Sequence, residues 1–336
     1  MNKSNITFKT EIQESQIRSI LEKNYPNIIT DYFELQRGWL ARAYQTFNDL
    51  DKYFILISIV AKTFNAYKDY FIKLSFDEFY NQKEYELKKF NIVDIAKQLH
   101  ISKETARRKI LELEKQGIIK KDKKNLSIQR GVYELQKPTD SIVAISRFLS
   151  SISKKLKETK IIDNHVETND FVELIKKNYT VCWNVFLNFQ ILVLTDAKAK
   201  FFGDYETFQC FGMIIYNSNL HLNQKLKGMK NYEEIENFQS RISSNLADEL
   251  AGLTESVGLN AMTVSDLTGI PRPTVIRKLN KLVKTKFIVK GKNNLYSIAA
   301  SQSMKNMDSY RKMNVGRIAS MITNMFNSAR MISGKN

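Results

Sequence analysis

The chain has little of what most catalytic or metal-binding proteins need. Two cysteines (Cys182 and Cys210) and three histidines (His100, His165 and His221) are scattered over 336 residues. The cysteines have neither CxxC spacing nor a nearby third ligand, so they read as buried apolar thiols of a reducing compartment. Asp163-x-His165-x-Glu167 has no fourth ligand and reads as solvated surface. GxGxxG, P-loop and GxSxG patterns do not occur. These absences predict a non-enzyme that uses neither a metal nor a cofactor. Long apolar runs are missing as well. Tyr53–Ala61 and Val181–Leu194 fall short of a membrane span, and the first fifteen residues lack the apolar core of a signal peptide. A soluble, cytoplasmic chain is expected.

Acid is also missing, but only locally. The net charge is +17, and Leu267–Met307 holds nine basic residues with no Asp or Glu. Ile101–Arg130 carries ten Lys/Arg against four acids, and Ile270–Lys292 eight against none. Those two segments supply fourteen of the seventeen surplus charges. A charge excess gathered on two short stretches points to nucleic acid as partner rather than to a membrane surface.

The same two stretches are a repeat. Placing Ile101 on Ile270 gives an offset of 169 that runs without a gap to Leu126 on Leu295, with 11 of 26 pairs identical. Each copy reads as helix, turn, helix and β-hairpin. Asn91 caps the first short helix, and His100 or Gly269 takes the turn, where glycine bends most easily. Ser102 caps the second helix, whose inward stripe is Ala106, Ile110, Leu113 and Gly117, repeated as Val275, Leu279 and Leu282. Turned away from the stripe are Lys103, Glu104, Arg107 and Arg108, and in the second copy Arg272, Ile276 and Arg277. The segments IIKKDKKNLSI and FIVKGKNNLYSI then read as strand, polar turn and strand. Such a unit is a winged helix.

Ser102-Lys103-Glu104-Thr105-Ala106-Arg107-Arg108, with Leu113 and Gly117-Ile118-Ile119 behind it, resembles the recognition helix of bacterial winged-helix regulators of the MarR and Crp/Fnr kinds. The resemblance implies base contacts in the major groove for Lys103, Glu104 and Arg108, and for Arg272 and Arg277 in the second copy. Ser102, Thr105, Arg107, Thr274 and Ile276 complete the DNA-facing set. The wing residues Lys121, Lys123, Lys124, Lys290, Lys292 and Asn293 would hold phosphates. Pro271 and Pro273 stand where the first copy has Ser102 and Glu104, so the two helices should read different sequences.

Outside the repeats, helical spacing predicts helices over Glu11–Tyr25 (closed by Asn24-Tyr25-Pro26), from about Thr30 to Phe47, from Leu50 to about Lys73, and from Ser75 through Tyr80. Another runs from Pro138 to about Leu156. The charged and polar stretch at about 154–170 reads as a linker, dividing the chain into 1–158 (winged helix at about 90–130) and 166–336 (winged helix at about 260–300). Helices follow across 170–200 and 204–216, near Tyr232–Glu249, and from about Met304 to Met331. The aromatics Trp39, Tyr44, Phe47, Tyr53, Phe54 and Phe64 suit a packed core better than an effector pocket.

The expected fold is mainly α, two winged helices flanked by long helices in an intramolecular MarR-like pseudo-dimer. The expected function is sequence-specific regulation of transcription on double-stranded DNA by a monomer, with a homodimer as the other assembly. A replication initiator with two winged-helix domains, or a protein-interaction module, are the competing readings.

Overall fold

The computed structural model describes residues 11–82, 84–87, 91–122, 125–129, 137–253, 257–291 and 293–333. It is mainly helical, with two small antiparallel sheets. Helix α1 (Glu14–Lys23) ends where the Asn24 backbone N–H and side-chain Nδ2 both donate to the Ile20 carbonyl, each at 3.0 Å. The chain turns and resumes at once as α2 (Tyr25–Phe47), so Pro26 sits in the opening turn of a helix instead of closing one. Asn48, in the left-handed conformation at φ 49°, stops α2. Asp49 then caps α3 (Leu50–Asp69) by accepting from the Asp51 and Lys52 N–H groups. Ser75 and Glu78 form a capping box for the short α4 (Phe76–Tyr80).

Strand β1 (Glu84–Leu87), which the charged sequence does not announce, leads to α5 (Ile92–Gln98), α6 (Lys103–Lys115), β2 (Ile119–Asp122) and β3 (Asn125–Gln129). The sheet order is β1-β3-β2, with Leu87 opposite Leu126 and Ile119 opposite Ile128. After α7 (Thr139–Glu158) come α8 (Thr168–Lys177) and α9 (Tyr179–Lys200), separated at Asn178 by the same double donation, here to Leu174. Asp204 caps α10 (Tyr205–Gly228), and α11 (Tyr232–Ala251) follows with a kink at Asn245. The remaining elements are α12 (Ala261–Thr268), α13 (Arg272–Lys284), β4 (Ile288–Lys290), β5 (Tyr296–Ile298), α14 (Gln302–Lys305) and α15 (Met307–Ser333).

The long helices interlock. Helix α2 packs on α10 and α3 on α9, while α7 crosses from α2 to α8 and α15 from α9 to α1. The buried side chains form one continuous core from Ile12 to Phe326. Trp39 meets Phe186 edge to face at 6.0 Å, and Tyr32 meets Phe189 at 6.2 Å. At the periphery, the Asn327 side chain clasps the Ile12 backbone, accepting from its N–H at 3.0 Å and donating to its carbonyl at 2.9 Å. Ser153 similarly accepts from the Val166 N–H at 3.0 Å.

Several sequence expectations change here. The stretch expected to be a polar linker is packed: α7 runs through Glu158, Ile162 and Val166 are buried, and His165 lies 2.7 Å from the Ser153 hydroxyl. Helix α9 is long and apolar enough to cross a membrane, contrary to the shorter run read from sequence, but 72% of that window is buried in the core. Of the aromatics read as core, Tyr44, Phe47, Phe54 and Phe64 are buried among neighbours. Trp39 and Tyr53 also edge a cavity of about 210 Å³ with Tyr179 and Trp183.

One core residue is poorly served. The Gln36 amide donates to the Tyr32 hydroxyl at 3.0 Å. Gln190, fully buried on α9, has Phe186 one turn earlier, and neither of its amide atoms finds a hydrogen bond among the described residues. A buried amide without partners costs about 1–3 kcal/mol. Gln190→Met, similar in size, is therefore expected to stabilise the fold by about that much. Urea denaturation measures it; a loss of stability would mean that the amide is solvated.

Candidate nucleic-acid interface

The segment from Ile92 to Gln129 is a helix-turn-helix closed by a hairpin. Asn91 accepts from the Val93 N–H at 2.9 Å, and α5 stops at His100, whose φ of 51° is left-handed. Ser102 starts α6 by accepting from the Thr105 N–H at 3.0 Å. Gly117, at φ 68°, ends α6, with its own N–H on the Glu114 carbonyl and the Ile118 N–H on Leu113. Ala106, Ile110 and Leu113 are buried as the spacing requires. On the outer side, Ser102, Lys103, Glu104, Arg107 and Arg108 are exposed and Thr105 is half-buried.

The segment from Ala261 to Ile298 adopts the same path. Asn260 caps α12 through the Thr263 N–H at 2.9 Å, and Gly269 takes the left-handed turn at φ 74°. Helix α13 has the length of α6 and bounds displaced by 169 at both ends. Lys286, at φ 61°, fills the position of Gly117 and closes the helix through the same pair of backbone bonds. Pro271 gives no side-chain cap, so the fixed φ of proline replaces the serine hydroxyl. Arg272, Ile276 and Arg277 are exposed and Thr274 is half-buried. Val275, Leu279 and Leu282 are fully buried.

The hairpins correct the sequence register by one residue. In the first, Lys121 faces Leu126; in the second, Lys290 faces Tyr296. Tyr296 thus stands where the gapless repeat places Leu295, and the second turn is one residue longer. Leu259 forms a single antiparallel bridge to Tyr296, as Leu87 does to Leu126 within β1. Gly258 is needed beside that bridge, because an added Cβ would lie 2.8 Å from the Tyr296 carbonyl oxygen. Of the expected phosphate-holding residues, Lys121, Lys290 and Asn293 are exposed. Lys123, Lys124 and Lys292 lie outside the described residues.

The two outer helix faces differ in charge. On α6, Arg107 lies 3.7 Å from Glu104, and Arg108 3.9 Å from Glu112. Both contacts are long and solvent-exposed, so they tether little. Helix α13 contains no acid at all; Pro273 and Lys281 replace Glu104 and Glu112.

The sequence reading passed over a second group of charges, on the inner edge of each helix. Lys109 pairs with Asp49, the cap of α3, and lies 3.6 Å from Glu112, which Lys52 holds at 2.9 Å. Lys278 pairs with Asp204, the cap of α10, and with Glu206 at 2.9 Å. Burial raises the Asp204 carboxyl, but donation from Lys278 and Thr207 outweighs it and holds the group below the usual carboxylate range. Burial likewise opposes the Lys278 ammonium, and Asp204 with Glu206 more than restores it. One signal for these residues was legible: Lys109 and Lys278 are an identical pair of the repeat beside the apolar stripe. The two cysteines lie elsewhere, and burial pushes both thiols up to about 12.

Residues 86–123 match the DeoR-like helix-turn-helix domain. That match spans the end of β1 through α5, α6 and β2, and takes in the first basic segment as far as residue 123. No curated protein and no solved structure matches the chain. The matched domain is DeoR-like, where the α6 residues resemble MarR and Crp/Fnr regulators. Residues 86–123 thus carry a DNA-binding helix-turn-helix domain of the kind found in transcriptional regulators.

Proposed function

We propose that this chain is a sequence-specific transcriptional regulator built by internal duplication. It presents two winged helices on one interlocked scaffold, binds double-stranded DNA as a cytoplasmic monomer, and catalyses no reaction. The observation that carries the reading is the correspondence of α6 and α13: equal lengths, bounds 169 apart, outward basic faces, and an inward lysine on the cap of a scaffold helix in each.

Support extends beyond the basic segments. At an offset of 154, Lys23-Asn24-Tyr25 repeats as Lys177-Asn178-Tyr179, and Gln36, Leu40, Ala43 and Phe47 recur as Gln190, Leu194, Ala197 and Phe201. Asp49 and Asp204 follow at an offset of 155. The packing pairs exchange under the same correspondence: α2 on α10 with α9 on α3, and α7 on α8 with α15 on α1. This exchange supports reading the chain as a two-fold dimer joined into one polypeptide. The second half departs from it where α11 takes the place of α4 and β1.

The two outer faces specify the DNA. Glu104 can accept from cytosine N4, whereas Ile276 offers apolar contact, for instance to a thymine methyl, where the first copy has Arg107. One chain should bind one duplex, on an asymmetric site whose halves have unlike consensus sequences. Site selection from random DNA, with mass measurement of the complex, tests this. Two chains on a perfect palindrome would refute the monomeric pseudo-dimer and leave DNA binding standing.

A further inference from the structure

Among the described residues of α6 and its hairpin, six lysines and arginines are exposed, and Lys109 is not. Its side chain is 16% exposed and that of Lys278 is 11% exposed. Each ammonium is spent on the carboxylate that caps the next scaffold helix, Asp49 for α3 and Asp204 for α10. The carboxylate is itself fixed, since the same side chain accepts two backbone N–H groups. Two residues beyond each cap stands a second acid, and it reaches across the molecule. Asp51 takes Lys198 of α9 at 2.5 Å, and Glu206 accepts from the Tyr44 hydroxyl of α2 at 3.1 Å. Lys198 and Tyr44 correspond at the offset of 154, so the two links occupy the same place in the two halves.

From this arrangement we infer that Lys109 and Lys278 are positioning residues: each locks its DNA-facing helix to a scaffold cap, and the Asp51–Lys198 and Glu206–Tyr44 links lock the caps across the halves. Helices α6 and α13 are thereby held at one separation. The consequence for DNA rests on the function proposed above: a fixed separation makes the protein read the spacing between half-sites as well as their sequences. A lysine in this role adds nothing to the phosphate contacts, although it sits on the helices that carry the most Lys and Arg, five in each. Flexible surface lysines could not serve, because an exposed pair holds two long side chains only weakly.

The test uses the full chain with nitroxide labels at Lys115→Cys and Lys284→Cys, exposed positions at the ends of α6 and α13. Cys182 and Cys210 are buried and resist labelling. Pulsed electron spin resonance should give one narrow distance in the parent. It should broaden in Lys109→Met and in Lys278→Met, and in Tyr44→Phe, which removes a single hydroxyl and spares the fold if the lysine variants do not. Lys281→Met, which removes an ammonium stacked 4.5 Å over the Phe202 ring, should leave the distance narrow. On DNA, Lys109→Met should tolerate sites respaced by one base pair that the parent rejects, with an unchanged slope of log affinity against log salt. Distances that stay narrow in both lysine variants and in Tyr44→Phe overturn the inference, as does a salt slope reduced by about 1, the signature of a lost phosphate contact. Should the distances behave as expected while the parent binds no DNA, the positioning stands and the DNA reading fails.

Discussion

Raising salt from 50 to 200 mM should weaken DNA binding by roughly 10³–10⁵-fold, the range for six to ten neutralised phosphates. The structure decides which charges belong in that count. Lys103, Arg107, Arg108, Lys115, Lys120 and Lys121 are exposed on α6 and its hairpin, and Arg272, Arg277, Lys284, Lys286 and Lys290 on α13 and its hairpin. Lys52, Lys109 and Lys278 are held by carboxylates and drop out. The slope should therefore follow the outer set, and single alanine substitutions in the hairpins should lower it by about 1 each while weakening all sequences alike. Fluorescence anisotropy of a labelled duplex at several salt concentrations is sufficient. A nearly flat titration would remove the electrostatic argument and favour a protein-binding role for the basic segments.

The largest effect on stability is expected from the C-terminal helix. Phe326 of α15 and Phe171 of α8 are buried and meet edge to face at 5.3 Å. The same helix packs against α1 and α9, so its core side of Val315, Ile318, Ile322 and Phe326 serves both halves of the chain. Phe326→Ala should cost about 3–5 kcal/mol, from lost transfer energy and the cavity left behind. That is a large share of the roughly 5–15 kcal/mol typical of folded domains. Because one core spans both halves, the loss should appear in a single urea transition reported alike by tryptophan fluorescence and circular dichroism. Two separated transitions, only one of them moved by the substitution, would show that the halves unfold independently.

The basic segments were legible in the sequence because their local chemistry is strong. Ser102, Gly269 and Pro271 mark helix ends and the apolar stripes mark the buried side, although Gly117, read as the last member of a stripe, in fact ends α6. The scaffold was less legible. Asn178 breaks a helix with a side-chain bond to a carbonyl one turn back, as Asn24 does, but without a neighbouring proline to signal it. Strand β1 alternates charged and apolar residues beside a long polar run, so only pairing with β3 defines it. The one-residue shift in the second hairpin was hidden by Leu126 and Leu295, identical letters that occupy different places in the ladder. The inner lysines were hidden by abundance: on helices rich in cations, only their recurrence in both copies and their place beside the apolar stripe set them apart. The linker expectation failed because two apolar residues, Ile162 and Val166, outweigh the charges around them.

The clasp between Ile12 and Asn327 has a consequence for synthesis. Its partners are 315 positions apart, so α15, which packs on α1, is made long after it. At roughly 5–20 residues per second, the first helix waits about 15–60 s on the ribosome before its cover exists. During that interval Ile17, Ile20 and Leu21 are exposed or borrowed by transient neighbours. The nascent chain should therefore be a client of holding chaperones until α15 emerges, and its yield should depend on how quickly that helix is delivered.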